Sequence, residues 1–118
     1  MKKTALLLAL ILFCLQICAC GAPVTVAQEI TIIGEWVCVG DETNTVYFDE
    51  SSICTMADGT KAKYKFRVDF DQLMIFGEQN LVFTVVKEND IYMLTGTNND
   101  LVYVREDDHD AAYAHLYG

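Results

Sequence analysis

Lys61-Ala62-Lys63-Tyr64-Lys65-Phe66-Arg67-Val68 is the stretch that decides the fold class. Cationic and apolar side chains alternate without a break, and a period of two marks a β-strand with one buried and one wet face. Asp58-Gly59 just before it is a strong tight-turn dipeptide, and Asp69 to Asp71 interrupts the pattern just after it.

The pattern continues in both directions. Upstream, Ile30, Ile32, Gly34, Trp36 and Cys38 share one face of a first strand, Asp41 to Asn44 reads as its turn, and Thr45 to Asp49 and Ser51 to Met56 follow as strands. Downstream, strands are expected over Gln72 to Phe76, Leu81 to Lys87, Ile91 to Thr95 and Leu101 to Arg105. Connections this short join antiparallel neighbours, because a parallel crossover needs a dozen or more residues. The expected fold is therefore all-β: an antiparallel up-and-down meander of seven or eight strands over 30–106, closing into a small barrel that removes its own edges. Its core should include Trp36, Val46, Phe48, Tyr64, Phe66, Val68, Leu81, Phe83 and Val85.

The N-terminus has a different character. Lys2 and Lys3 precede an almost wholly apolar run from Thr4 to Ile17, too short for the ~20 residues of a spanning helix but suited to a signal peptide. Ile17-Cys18-Ala19-Cys20 resembles the lipobox of bacterial lipoproteins, with Gly21 following. The resemblance implies a signal helix over 1–19, removed on export, and a lipid on Cys20. A tether over 20–29 would then hold the domain on the extracytoplasmic side of the cell membrane. The alternative is an ordinary secretory signal cut after Ala27.

The chain has 17 acidic and 8 basic residues, a net charge of −9. Removing the leader takes away Lys2 and Lys3 and no acid, leaving six cations against 17 acids, about −11. Such a chain should bind neither nucleic acid nor anionic headgroups through its general surface. Of the five cysteines, Cys14 and Cys18 leave with the leader and Cys20 is lipidated. Cys38 and Cys54 remain, either as a disulfide closing a loop of about 15 residues or as buried free thiols.

Gly34-Glu35-Trp36 on the first strand looks like the G-x-W that opens lipocalin-like (calycin) barrels, and Leu101-Val102-Tyr103-Val104-Arg105 looks like their final strand. The chain from Ile32 to Arg105 is thus similar to small bacterial lipocalin-like lipoproteins. That resemblance implies that Trp36 closes the barrel floor and that Arg105 lies across its indole, with Gly34 beside them. A domain of about a hundred residues is far shorter than a true lipocalin, so a lipocalin-sized ligand cavity is not expected.

No catalytic constellation stands out. There is no G-x-S-x-G, both histidines lie near the C-terminus, and neither Cys38 nor Cys54 has a base near it in sequence. Asp107, Asp108, His109, Asp110 and His115 mix oxygen and imidazole donors. On a helix, however, His109 and His115 fall out of line, so the acidic C-terminal tail 107–118 reads as solvating, with no metal and no cofactor expected. The tail is expected to be disordered or a loosely docked helix, Tyr113, Leu116 and Tyr117 then forming the docking face.

One surface feature remains, the cationic stripe Lys61, Lys63, Lys65 and Arg67, which serves either to blunt edge pairing or to bind an acidic partner or glycan. Taken together, the residues suggest a non-enzymatic surface lipoprotein acting as a binding or interaction module. The partner would be a protein, a glycan or a small apolar ligand. Inhibition of a cationic hydrolase such as lysozyme, or carriage of that apolar ligand, are the alternatives.

Overall fold

The computed structural model describes residues 24–118. The expected signal peptide and its helix, Cys20 and the start of the expected tether lie outside the described residues. Eight strands follow one another: β1 (Gly34–Cys38), β2 (Asp41–Phe48), β3 (Ile53–Met56), β4 (Lys61–Arg67), β5 (Gln72–Phe76), β6 (Asn80–Glu88), β7 (Ile91–Gly96) and β8 (Val102–Val104). Each pairs antiparallel with the next, and β8 returns to β1, so the meander is a closed barrel. The closing seam is short. Val37 faces Val104, Cys38 faces Tyr103, and the Val39 amide donates to the Val102 carbonyl at 2.8 Å.

Turn chemistry explains most of the register. β6 and β7 join through Asn89 and Asp90, both at positive φ (50° and 63°), which is the two-residue turn whose twist matches a hairpin. The first hairpin differs from the sequence expectation. Asp41 to Asn44 is not the turn; Gly40, at φ +91°, makes it, and Asp41 already opens β2. The turn-forming residues persist as an irregularity, because Val37 pairs with Thr45 while Cys38 pairs with Asp41. Within it the Thr43 amide donates to the Asp41 carboxylate at 3.2 Å.

The inward faces fill the barrel. Trp36, Val46, Phe48, Cys54, Leu73, Ile75, Phe83, Val85 and Leu94 are buried, with Phe48 packed edge-on against Tyr64 at 4.8 Å and Phe83 against Tyr103 at 5.7 Å. Three expected core residues stand differently. Phe66 and Leu81 are half-buried, and Val68 is exposed because β4 stops at Arg67 and a 3-10 turn (Val68–Phe70) bends the chain away. Asp71, at φ +52°, ends that turn.

Cys38 and Cys54 are free buried thiols, and the register explains why they do not bridge. Cys54 lies beside Phe48, and Phe48 beside Gly34, four residues from Cys38. Four residues of strand span about 13 Å, well beyond the ~7 Å Cα separation a disulfide tolerates.

The tail is also corrected. Residues His109–Tyr117 form a helix, α1, reached through a 3-10 turn at Glu106–Asp108. It docks by His109 and Ala112, not by Tyr113, Leu116 and Tyr117, which face outward. Ala112 packs on the outer side of the barrel against Val37, Val39, Ile91, Met93 and Val104. These side chains make β1, β7 and β8 apolar on both faces, so the outer face needs a cover. The small Ala112 lets the helix come close, and His115 fixes its far end against Glu88 and Asn89, both at 2.8 Å.

The N-terminal segment is likewise held, so the expected tether is not free throughout. Ala27–Glu29 form a 3-10 turn with Ala27 fully buried, and the Ala27 amide donates to Asp71 Oδ1 at 2.7 Å. Gln28 donates to Asp69 at 3.1 Å, and the Thr25 hydroxyl donates to the Val68 carbonyl.

Burial pushes the Tyr103 phenol up to about 12, its hydroxyl donating to Asn44 Oδ1 at 2.9 Å. An unfolded chain gives up this proton near its ordinary value of 10.0, while the folded chain keeps it to about 12. Stability should therefore hold below pH 10 and fall through the interval up to 12, since the folded state then binds more protons. Tyr103→Phe should flatten this alkaline slope in urea melts taken across the interval. An unchanged slope would mean that another group governs it.

Candidate functional site

The strand ends define two poles. Gly34, Arg105 and the Val68–Phe70 turn lie at one, the floor; the β1–β2, β3–β4, β5–β6 and β7–β8 connections lie at the other, the mouth.

At the floor, Trp36 is fully buried and its indole N–H donates to the Ile32 carbonyl at 2.9 Å. The Arg105 guanidinium lies over the indole, 4.2 Å from the ring centroid. Its nitrogens donate to the carbonyls of Thr31 (2.8 Å), Ile33 (2.9 Å) and Glu35 (3.0 Å). Gly34 is at φ +116°, and a Cβ there would sit 2.7 Å from Arg105 Nη1. Gly34, Trp36 and Arg105 are thus brought together, with Arg105 clamping the incoming chain onto the indole. Burial draws the Arg105 pKa down, but the stack and three carbonyls compensate the charge.

The mouth is where the interior opens. A cleft of about 630 Å³ is lined by Met56, Ala62, Ile75 and Leu81, with Asp58, Thr60, Lys61, Gly77, Glu78 and Gln79 around it. Ala62, Ile75 and Leu81 lie on the inward faces of β4, β5 and β6, so the cleft is the upper end of the barrel. Below it, Phe48, Leu73, Phe83 and Tyr103 fill the space. The sequence reading missed this site. Its one signal was Ala62, a small residue at an inward position where its neighbours on β4 are aromatic.

Lys61, Lys63, Lys65 and Arg67 all point outward from β4 and all are exposed. None lies within ion-pair distance of a carboxylate; the ion pairs among the described residues are all made by His109 and His115. Two apolar shoulders flank the stripe. Exposed Phe76 pairs across from Lys63, and exposed Phe70 lies under the Arg67 guanidinium at 4.3 Å.

A third cluster joins β1, β2 and α1. Glu35, Glu42, Glu106, His109 and Asp110 line a cleft of about 300 Å³, and donor atoms of Glu42, His109 and Asp110 lie within 4.8 Å of one another. The Gly40 amide donates to His109 Nε2 at 3.3 Å, so that nitrogen carries a lone pair and the proton sits on Nδ1. Nδ1 faces Glu42 at 2.9 Å and Asp110 at 3.3 Å and donates to them, an arrangement that uses the imidazole as a hydrogen-bond donor. The other donors weighed from the sequence do not join it, since His115 is bound to Glu88 and Asn89 instead.

Burial raises both thiols, Cys38 and Cys54, above their ordinary value, which disfavours the nucleophilic thiolate.

Comparison with family models, curated proteins and solved structures gives no match. The architecture that stands is an eight-stranded antiparallel barrel, compatible with a lipocalin-like fold.

Proposed function

We propose that this chain is a lipid-anchored, non-catalytic binding module of lipocalin-like type, and that its site is the open mouth of the barrel. The observation that carries the reading is the mouth cleft of about 630 Å³, with apolar walls and a polar rim. That volume lies within the few hundred to a thousand Å³ usual for small-ligand sites. Because Phe48, Leu73 and Phe83 fill the barrel beneath, the site takes the apolar part of an amphiphile and leaves its polar group at the rim beside Lys61, Thr60 and Gln79. A deep, fully enclosed apolar ligand does not suit it. The lipocalin-like reading draws support from the up-and-down closure and from the Gly34–Trp36–Arg105 floor. The non-catalytic reading draws it from the raised thiols and from the histidines' engagement in docking α1.

The test is a titration with the fluorescent amphiphile anilinonaphthalene sulfonate. Ala62→Trp puts an indole into the mouth and should weaken binding by about tenfold or more, roughly the 1.4 kcal/mol that a blocked apolar contact removes. If the variant folds and binds the probe as the parent does, the mouth is not the site.

A further inference from the structure

The six cations of residues 24–118 are not evenly spread. Four of them stand on β4, and strands β3, β4 and β5 carry no acidic residue at all, in a chain with 17. The acids of this region, Asp58, Asp69 and Asp71, sit in its connections. Alternate residues on a strand are about 6.8 Å apart, so Lys61 to Arg67 form a row about 20 Å long. β4 is bonded on both edges, to β3 and β5, so no peptide can add to it as a strand. A partner must therefore meet the side chains.

Those side chains combine charge with apolar surface. Phe70 is 67% exposed and Val24 73% exposed, both large for isolated apolar residues. Val24 opens the segment whose Thr25 and Gln28 are bonded to the Val68–Phe70 turn, so the chain arrives at the Phe70 end of the stripe. Cys20 precedes Val24 by four residues, a reach of at most about 14 Å. A lipid on Cys20 would bring the bilayer within that reach of the Phe70 end of the stripe.

We propose that the outer face of β3–β5, Lys61, Lys63, Lys65 and Arg67 with Phe70 and Phe76 at its ends, lies against the anionic leaflet in which the Cys20 lipid is anchored. The expectation that so acidic a chain avoids anionic headgroups treats its charge as uniform. Glu35, Glu42, Glu106 and Asp110 cluster round His109 on β1, β2 and the approach to α1, at least two strands from β4, where screening over a Debye length of about 8 Å weakens them. Cations then meet headgroups while Phe70 and Val24 enter the interface. In this pose the barrel lies on its side, and the mouth stays open along the membrane surface, where amphiphiles concentrate. The docking rests on the lipid-anchor reading.

The test uses the processed chain with Phe70→Trp, reconstituted into vesicles whose lipids are brominated on the acyl chains. Trp36 is buried and gives a constant background. Quenching of the introduced indole should be at least about threefold greater with phosphatidylglycerol present than with phosphatidylcholine alone. High salt, or K61Q/K63Q/K65Q/R67Q, should remove the difference. Equal quenching on both vesicles, or none, overturns the proposal. So does protection of the face by soluble polyglutamate with the lipid arm blank, which assigns it to an anionic polymer instead. The intact mass separates the two readings. Lipidated Cys20 without quenching sinks the docking face alone, whereas unmodified Cys20 with quenching on anionic vesicles sinks the anchor and leaves the face.

Discussion

Trp36→Ala should remove about half of the chain's folding stability at 25 °C. The indole is almost wholly removed from water and its N–H is bonded to the Ile32 carbonyl, so truncation empties a large volume and orphans an acceptor. Large aromatic-to-alanine changes in cores cost about 3–5 kcal/mol. A domain of this size has about 5–10 kcal/mol in total, so about half of it would go. The position makes collapse around the cavity difficult. Arg105 is held over the ring by three carbonyls and cannot follow the missing indole inward without abandoning them. Trp36→Phe keeps a π-face for the guanidinium and should cost about half as much. Urea melts followed by far-ultraviolet circular dichroism measure both. A loss below about 1 kcal/mol for Trp36→Ala would mean that the floor is not part of the cooperative core.

What the sequence made legible follows from where the physics is local. β4 is readable because alternation is a property of adjacent residues, and the hairpin after Lys87 because the gap before Ile91 is too short for anything but a turn, which Asn89 and Asp90 close at positive φ. The helix cover was harder, since its cause lies on another part of the chain. Trp36-Val37-Cys38-Val39 and Val102-Tyr103-Val104 are apolar on both faces, which meant that something must cover the outside. Nothing local said that Ala112 would do it, because the conspicuous residues of the tail are its aromatics and the docking face is small. The Asp41-Glu42-Thr43-Asn44 turn shows the reverse. Its local chemistry is real, with Asp41 accepting from the Thr43 amide, but Gly40 next door can turn more tightly, and the strand resumes round a bulge. For the site, the floor came from a tripeptide and a terminal arginine. The mouth is invisible in sequence because it is a space between four strands, and the apolar shoulders of the β4 stripe come from a neighbouring strand and a turn.

Arg105→Met is the second large effect, and it separates the clamp from the ring beneath it. Methionine keeps an apolar stem against the indole but is shorter and gives up every donor, so the carbonyls of Thr31, Ile33 and Glu35 lose their partner together. Water reaches this half-buried rim, which holds the cost to about 2 kcal/mol, below the sum of three fully buried losses. Arg105→Lys preserves the charge but not the planar fork, and one ammonium cannot face three carbonyls and a ring at once; it should recover less than half. The segment these carbonyls belong to leads from the proposed anchor into β1, so hydrogen exchange should rise first over Thr31 to Glu35 while β4 to β6 stay protected. A double cycle of Trp36→Phe and Arg105→Met should return a coupling of about 0.5–1 kcal/mol, below the full stack because phenylalanine retains part of it. Additivity with a full loss in each single variant would place the contribution of Arg105 in the carbonyls alone. The floor would then be held by its hydrogen bonds, and the glycine at 34 would be required for the room it leaves the guanidinium, 2.7 Å from where a Cβ would stand.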